Sequence, residues 1–242
     1  MTADLMLIWP ELILTIGGLI TLMLGTFFGD RNVGLYQLCS LLTLAAAAAA
    51  VVALFGVDAT VFSGTLSVDS FGGFAKLLIY AASFICIIVA PRFFNGGMRA
   101  EYPTLILFAA LGMGIMASSR DLMTLYVGLE LNSLAAYVLA SFMRTDERST
   151  EAGLKYFVLG ALASGMLLYG ISLLYGFTGT TDFAGIAKVM GGELNIGLIF
   201  GIVFVLAGLG LKISAVPFHM WTPAGYERAP TPVSAFFASG PN

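Results

Sequence analysis

Charged residues are scarce in this sequence of 242 residues. They make up 10% of the chain, whereas a soluble domain carries about 25%. Hydrophobic residues make up 59%, and the mean hydropathy is +0.95, so the composition excludes an ordinary soluble enzyme. Positive charge is not in excess either, because 11 Lys and Arg stand against 14 Asp and Glu, a formal net charge of −3. A nucleic-acid partner is therefore not expected, since binding to phosphates requires a basic surface.

Cysteine and histidine are also rare. Cys39 and Cys86 lie in apolar runs without a CxxC spacing. They indicate neither a metal site nor a disulfide framework, and we interpret both as small buried hydrophobic residues. The sequence lacks a dinucleotide-binding glycine fingerprint, a cysteine set for an iron–sulfur cluster and a pair of haem ligands. No cofactor and no metal are therefore expected in this chain.

Long hydrophobic runs, by contrast, are abundant. A helix needs about 20 apolar residues to cross roughly 30 Å of hydrocarbon. By this measure the sequence predicts an all-α, polytopic transmembrane helix bundle with about seven spans and the start of an eighth. The predicted spans are residues 5–28, 33–55, 71–91, 102–119, 122–143, 153–176 and 196–217, with the eighth beginning near Thr231. Prolines remove backbone donors and interrupt helices, and a broken helix is predicted at Pro217, Pro223, Pro230 and Pro232.

The connectors between the spans are short. The stretch from Gly56 to Ser70 alternates apolar with small polar residues and predicts a hairpin at one membrane face. The stretch from Phe183 to Met190 predicts a short interfacial helix. Small residues inside spans, such as the GxxxG of Gly197 and Gly201, indicate close helix packing. The first span lacks a basic flank and a cleavage site, so we expect it to remain in the mature protein.

Basic residues are distributed unevenly between alternating connectors. Six lie on one side and two, Arg120 and Lys188, on the other; the six are Arg31, Arg92, Arg99, Arg144, Arg148 and Arg228. The positive-inside rule then predicts that the side with six is cytoplasmic. The amino terminus and the connector from Gly56 to Ser70 would face the periplasm or an equivalent outer compartment.

Few ionisable side chains lie at membrane depth, where each costs a few kcal/mol unless it is paired or hydrated. Glu130 lies near the middle of the predicted fifth span, and Lys212 lies about two thirds along the seventh. We predict that they pair, because loss of solvent favours the neutral forms of both groups whereas a nearby opposite charge favours the charged forms. Their protonation states would then be coupled, as proton transfer requires. The alternative is a structural ion pair that fixes helix register.

Lys155 and His219 are further candidates. Lys155 lies near the start of the sixth span and could equally be an interfacial anchor whose ammonium reaches water. His219 follows the predicted helix break at Pro217, and imidazole titrates near neutral pH. We therefore place His219 in a proton relay, with a hydrogen-bonded interfacial histidine as the alternative. Glu11 and Lys76 fall close to span ends, and we predict that both extend to the membrane surface.

Three stretches of the sequence, followed by a fourth, carry a recognisable pattern: LYVGLELNSLAAYVL at 125–139, STEAGLKYFVLGALASGMLLYG at 149–170, GLGLKISAVPFHMWTP at 208–223, and APTPVSAFFAS at 229–239. In order and spacing they resemble the antiporter-like membrane subunits of respiratory complex I, the proton-pumping NADH-quinone oxidoreductase. The HMWTP and FFAS segments are most similar to the subunit N branch of that family. The resemblance covers essentially the whole chain, although AGYER at 224–228 departs from the family's usual DVYEG.

The resemblance implies that Glu130, Lys212, Lys155 and His219 form one half of a water-linked proton path. It implies that residues 1–101 are a peripheral three-helix segment and that residues 102–242 are the first antiporter-like repeat, with its eighth helix truncated. Family members are nearly twice as long, so their second repeat is expected to be missing from this sequence.

The function implied is that of a proton-translocating subunit of an NADH:quinone oxidoreductase in the bacterial inner membrane. This chain would carry no redox chemistry itself. Other membrane subunits and the lipid bilayer would be its partners, and FMN, iron–sulfur clusters and quinone would belong to partner subunits. Two alternatives stay open. One is a cation/proton antiporter subunit, which would use the same glutamate and lysine, and the other is a non-conducting membrane scaffold whose buried charges only lock the helices together.

Overall fold

A computed structural model describes residues 2–94, 98–192, 195–216, 219 and 229–239 of the chain. These residues form ten α-helices and one β-hairpin. In chain order the elements are α1 (Thr2–Leu7), α2 (Trp9–Phe28), α3 (Val33–Ala53), β1 (Ala59–Val61), β2 (Leu66–Val68), α4 (Ser70–Phe94), α5 (Glu101–Ser118), α6 (Leu122–Ala140), α7 (Glu147–Thr178), α8 (Phe183–Met190), α9 (Ile196–Lys212) and α10 (Thr231–Ser239).

The predicted transmembrane helix bundle is confirmed. Six helices, α2 to α7, are long and apolar enough to cross a membrane, and α9 is a shorter apolar helix. Helix ends differ from the predicted spans. The helix α2 begins at Trp9 rather than near residue 5, because Pro10 lacks an N–H and is favoured in the first turn of a helix. The helix α7 has 32 residues and is about 48 Å long at 1.5 Å per residue, so it extends beyond the hydrocarbon.

The seventh span ends earlier than predicted. Its helix α9 ends at Lys212, before Pro217 and not at it. Ser214 has a φ of 57°, and the N–H of Ala215 donates to the carbonyl of Gly210 at 2.9 Å. This is the hydrogen bond of a Schellman C-cap, which closes a helix through one left-handed residue. Local backbone geometry therefore ends α9 without a proline.

The predicted break at Pro217 and Pro223 lies outside the described residues. The start of the eighth helix lies within them, and α10 begins at Thr231, as predicted. Pro232 stands in its first turn, where a proline costs no intrahelical hydrogen bond.

The predicted hairpin between Gly56 and Ser70 is confirmed, since β1 and β2 pair antiparallel. Backbone hydrogen bonds tie it to the neighbouring connectors: the N–H of Arg120 donates to the carbonyl of Thr65 at 2.9 Å, and the N–H of Phe183 donates to the carbonyl of Arg120 at 3.1 Å. The predicted interfacial segment is also helical and forms α8. We call this end of the bundle, defined by β1, β2 and Arg120, the hairpin face.

Four helices that start on the hairpin face, α4, α6, α8 and α9, are capped by acidic or amide side chains. The carboxylate of Asp121 accepts from the N–H groups of Met123 and Thr124 at the start of α6. Asp69, Asp182 and Asn195 accept in the same way at the starts of α4, α8 and α9. Such caps satisfy N–H groups that have no partner inside the helix, and they explain why these helices begin where they do.

The helix α5 lies at the centre of the bundle and is the most buried of the six candidate spans. It packs against α2, α3, α4 and α6. Small residues permit this: a Cβ on Gly112 would lie 2.6 Å from the backbone of α6 at Gly128 and Asn132. The GxxxG prediction is also confirmed as packing, because a Cβ on Gly197 would lie 2.1 Å from the ring of Phe177 on α7. The outer surfaces of the helices expose apolar side chains, as a lipid-facing bundle does.

Both cysteines are free thiols, with Cys86 buried and Cys39 half-buried. The division of the chain at residue 101 into a peripheral segment and a repeat stays a prediction.

Candidate functional site

The helix α6 carries a stripe of polar side chains at membrane depth. Glu130, Ser133 and Tyr137 are spaced i, i+3 and i+7, so they lie on one side of the helix, about two turns in length. Ser133 and Tyr137 are buried and Glu130 is partly buried. This side of α6 faces α7 and α9.

Lys212 completes the stripe from the last turn of α9. Its Nζ atom donates to Ser133 Oγ and to Tyr137 Oη, each at 2.9 Å, and lies 3.7 Å from Glu130 Oε2. The predicted pairing of Glu130 and Lys212 is therefore confirmed. The position of Lys212 also suits its charge, because a helix C-terminus carries a partial negative charge that favours cations.

The helix α7 supplies the remaining contacts. Ser164 Oγ donates to Glu130 Oε2 at 2.7 Å, so both members of the ion pair are held by hydroxyl groups. Gly160 faces Tyr137, and a Cβ at this position would lie 2.0 Å from Tyr137 Oη. Because Gly160 has no side chain, there is space for the Tyr137 hydroxyl to contact Lys212.

The site is sheltered from solvent but not fully enclosed. The side chain of Lys212 is 10% exposed and that of Glu130 is 26% exposed, so the carboxylate is the more accessible partner. At 3.7 Å the charges attract each other without a direct hydrogen bond. Hydroxyl groups both donate and accept, and Ser133, Tyr137 and Ser164 can therefore pass a proton along or stabilise either protonation state. The site suits reversible proton binding.

Among the described residues, no group of three or more His, Cys, Asp or Glu side chains is placed to hold a metal ion. The chemistry that these side chains can supply is proton binding and release.

The other two predicted site residues lie away from this centre. Lys155 is near the start of α7, where its Nζ lies 2.5 Å from Oε1 of Glu151, and both side chains are about half exposed. His219 is exposed, and within the described part of the chain it makes no hydrogen bond to Glu130 or Lys212. The structure thus brings together Glu130 and Lys212 but not Lys155 or His219.

Sequence reasoning missed the three hydroxyl side chains of the site. For Ser133 and Tyr137 a signal exists, because they follow Glu130 at helical spacing in LELNSLAAY. Ser164 has no comparable signal, because it lies on another helix, and only the packing of α7 against α6 brings it to Glu130.

The prediction for Glu11 and Lys76 was wrong. They do not extend to the membrane surface. Lys76 Nζ lies 2.5 Å from Glu11 Oε1, with the side chains only 7% and 12% exposed. Each residue lies close enough to the start of its helix for its side chain to reach water. The helices α2 and α4 instead place the two side chains face to face, so the ion pair inside the protein replaces hydration of the two charges.

The fold and this site define a class: a polytopic membrane helix bundle with a glutamate–lysine pair held between three helices. A family model described as "NADH:quinone oxidoreductase/Mrp antiporter, TM" matches residues 119–240. This range contains Glu130, Lys212, Lys155 and His219. The chain belongs to this family of transmembrane proteins.

Curated relatives of the family are similar along the whole chain. NADH-quinone oxidoreductase subunit N of Sphingopyxis alaskensis is 89% identical over 241 residues, which cover 100% of this chain and 51% of the relative. Subunit N of Erythrobacter litoralis is 54% identical, again over 100% of this chain and 51% of the relative. The chain therefore spans about half the length of the curated relatives it matches.

Solved structures agree on the fold. A chain of respiratory complex I from Thermus thermophilus with bound aureothin matches with a TM-score of 0.78 and 33% identity, covering 95% of this chain and 50% of that chain. A chain of the Mrp complex from Dietzia sp. matches with a TM-score of 0.81 at 23% identity, covering 99% of this chain and 46% of that chain. At this identity the Mrp match shows a shared fold alone.

Proposed function

We propose that this chain contributes to a proton-translocating membrane subunit of an NADH:quinone oxidoreductase, and that Glu130 and Lys212 are its proton-exchanging pair. The observation that carries the proposal is the arrangement of these two charges, which three transmembrane helices hold 3.7 Å apart through hydroxyl groups. Relatives named NADH-quinone oxidoreductase subunit N support the kind of complex.

A change in the separation of the pair would move protons. Two unit charges about 4 Å apart attract each other by about 4 kcal/mol at an effective dielectric constant of about 20, and by about half that at twice the distance. The difference of about 2 kcal/mol corresponds to roughly a thirtyfold change in proton affinity. A displacement of α9 relative to α6 by about 4 Å would double the separation of the two charges. In this proposal, quinone reduction in partner subunits drives that motion.

Lys155 and His219 would extend the path beyond the pair. Lys155 precedes Ser164 on α7 by nine residues, about 13 Å along a helix, so water has to bridge the distance between them. His219 follows α9 closely in the sequence and is exposed, which suits exchange with solvent. The full relay thus consists of Lys155, Lys212, Glu130 and His219 with intervening water.

The chain would do no redox chemistry. FMN, iron–sulfur clusters and quinone would be bound by partner subunits, and the chain would contact other membrane subunits and lipid in the bacterial inner membrane. The enzyme is the whole complex, to which this chain would contribute the ion path.

The test is NADH-driven proton pumping in membrane vesicles that carry the complete complex with Lys212→Ala. We expect at least a several-fold loss of pumping while the complex still assembles. Lys188→Ala is the matched control, because Lys188 is an exposed lysine on α8 away from the pair, and pumping should be unchanged. Normal pumping with Lys212→Ala would contradict the proposal and leave the pair a structural role.

The same vesicles separate the two alternative functions. Loss of assembled complex in both Lys212→Ala and Glu130→Gln, with normal pumping per assembled complex, would support a scaffold. Sodium-dependent proton movement without NADH would support a cation/proton antiporter.

A further inference from the structure

A second buried ion pair lies near the hairpin face, outside the site described above. Glu11 is in the first turn of α2, and Lys76 lies about two turns into α4. Their 2.5 Å contact is more buried than the Glu130–Lys212 pair. A charge pair of this kind is costly to bury unless its remaining polar atoms are also satisfied.

Those remaining atoms lack protein partners. Within the described residues, Glu11 Oε2, Tyr80 Oη and Ser118 Oγ are buried and make no hydrogen bond. Tyr80 is 1% exposed and Ser118 is 4% exposed. An unsatisfied buried polar atom destabilises the folded state, so three around one ion pair point to a partner other than protein.

Space for that partner exists beside Lys76. A cavity of about 20 Å³ is bounded by Lys76, Ser118 and Asp69 together with apolar side chains of α2 and α3. A buried water molecule needs roughly 10–15 Å³ of cavity volume, so this cavity has room for one water molecule. Its polar boundary can supply the hydrogen bonds that a buried water makes.

Two glycines keep the polar groups in reach of one another. A Cβ on Gly72 would lie 3.0 Å from Asp69 Oδ1 and 3.6 Å from Ser118 Oγ. A Cβ on Gly114 would lie 3.4 Å from Tyr80 Oη. Side chains at these positions would fill the space between the carboxylate, the hydroxyls and the lysine.

The cavity also has a route to solvent. Asp69 bounds both this cavity and a wide, open depression of about 450 Å³ on the hairpin face, which Asp58 and Arg120 also line. The elements packed around the pair add no other charge among the residues that bound the cavity, since α3 and the two residues after it contribute Val51, Leu54 and Phe55 and α5 contributes Ser118. A proton would therefore pass between solvent and the pair by way of Asp69.

We propose that Glu11 and Lys76, with Tyr80, Ser118 and Asp69, form a second hydrated protonation site that exchanges a proton with water on the hairpin face. The site binds one water beside Lys76. Glu11 takes up a proton delivered by that water and releases it by the same route, while Lys76 compensates the charge of the carboxylate. No other reactant is needed, and the exchange does not depend on Glu130 or Lys212.

The test is infrared difference spectroscopy of the complete complex during a pH titration, in H₂O and in D₂O. We expect a carboxylic acid carbonyl band that appears on acidification and shifts in D₂O. It should be missing from the Glu11→Gln complex. Glu101→Gln is the matched control, because Glu101 forms an ion pair with Arg144 whose side chains are 45% and 62% exposed, and this control should retain the band.

Variants at Lys76 give a second criterion. Lys76→Arg keeps a cation beside Glu11 and should leave the band at about the same pH as in the unmodified complex, whereas Lys76→Met removes the cation and should make the band appear at higher pH. If Glu11→Gln alone fails to assemble, Glu11→Gln with Lys76→Met removes both charges, which a fold tolerates better than one unpaired buried charge. The band should then also be lost. A difference spectrum of either glutamine variant identical to that of the unmodified complex would overturn the proposal and leave the pair purely structural.

Discussion

The positive charges of two lysines inside the bundle have different kinds of partner. Lys76 makes a short direct contact with Glu11, whereas Lys212 donates to two hydroxyls and keeps the carboxylate of Glu130 at 3.7 Å. The pairing of Glu130 with Lys212 was predictable, because charges deep in apolar spans need a partner. The identity of the hydroxyl partners was not, because serine and tyrosine are tolerated in membrane helices without any such role.

Gly160 gives the most direct test of the hydroxyl contacts. Replacing it with Ala places a methyl group against Tyr137, where a Cβ would lie 2.0 Å from the hydroxyl oxygen and 2.5 and 2.7 Å from two ring carbons. The ring has to move, and Lys212 loses a hydrogen bond, which for a charged donor is worth about 1.5–3 kcal/mol. We expect a several-fold loss of NADH-driven pumping in vesicles.

Gly165→Ala is the control, because Gly165 lies on the same helix with nothing within 4 Å of its position for a Cβ. Equal pumping by the Gly160 and Gly165 variants would show that the Tyr137 hydroxyl does not matter for function.

At the scale of the elements, the sequence predicted which helices form, but it predicted the residues at which they end only in part. Hydropathy predicted the spans, the alternation of apolar with small polar residues between Gly56 and Ser70 predicted the hairpin, and the stretch from Phe183 to Met190 predicted α8. The predicted end of α9 was wrong. Ser214, with a φ of 57°, closes the helix, and no sequence rule singles out Ser214 for that conformation. Pro217 was the stronger signal in the sequence, but the Schellman hydrogen bond ends the helix before that residue.

Contact between α5 and α6 depends on a pair of glycines that face each other. A Cβ on Gly112 would lie 2.6 Å from backbone atoms of α6, and one on Gly128 would lie 2.8 Å from the carbonyl of Gly112. Backbone cannot rotate away as a side chain can, so Gly112→Ala should separate the helices and destabilise the fold by about 1–3 kcal/mol. We expect a lower unfolding temperature of the purified complex.

Gly34→Ala, at a helical glycine with nothing within 4 Å, serves as the reference. An unfolding temperature for Gly112→Ala equal to that reference would show that α5 and α6 have room to adjust.

For the whole molecule, the sequence predicts fewer basic residues on the hairpin face than on the opposite face. Arg120 lies among the connectors of the hairpin face, while the ion pair of Arg144 with Glu101 lies at the other end of the bundle. Which face is cytoplasmic is a prediction of the positive-inside rule.

Cysteine labelling in intact cells tests this orientation. In the full-length protein with Cys39 and Cys86 replaced by serine, a membrane-impermeant maleimide should label Thr60→Cys, on the exposed hairpin, from outside. Thr145→Cys, in the exposed connector before α7, should react only after permeabilisation. The reverse pattern would place the amino terminus in the cytoplasm and overturn the predicted topology.

The sequence by itself determined that this chain is a membrane helix bundle, where most of its spans lie, and that Glu130 and Lys212 need each other. Those properties depend on local sums of hydropathy and on the cost of single buried charges. The tertiary structure alone decided which hydroxyls hold Lys212 and that Glu11 and Lys76 pair inside the protein. These depend on how each helix is rotated about its axis and on how closely glycines let backbones approach, and neither quantity is a local property of the sequence.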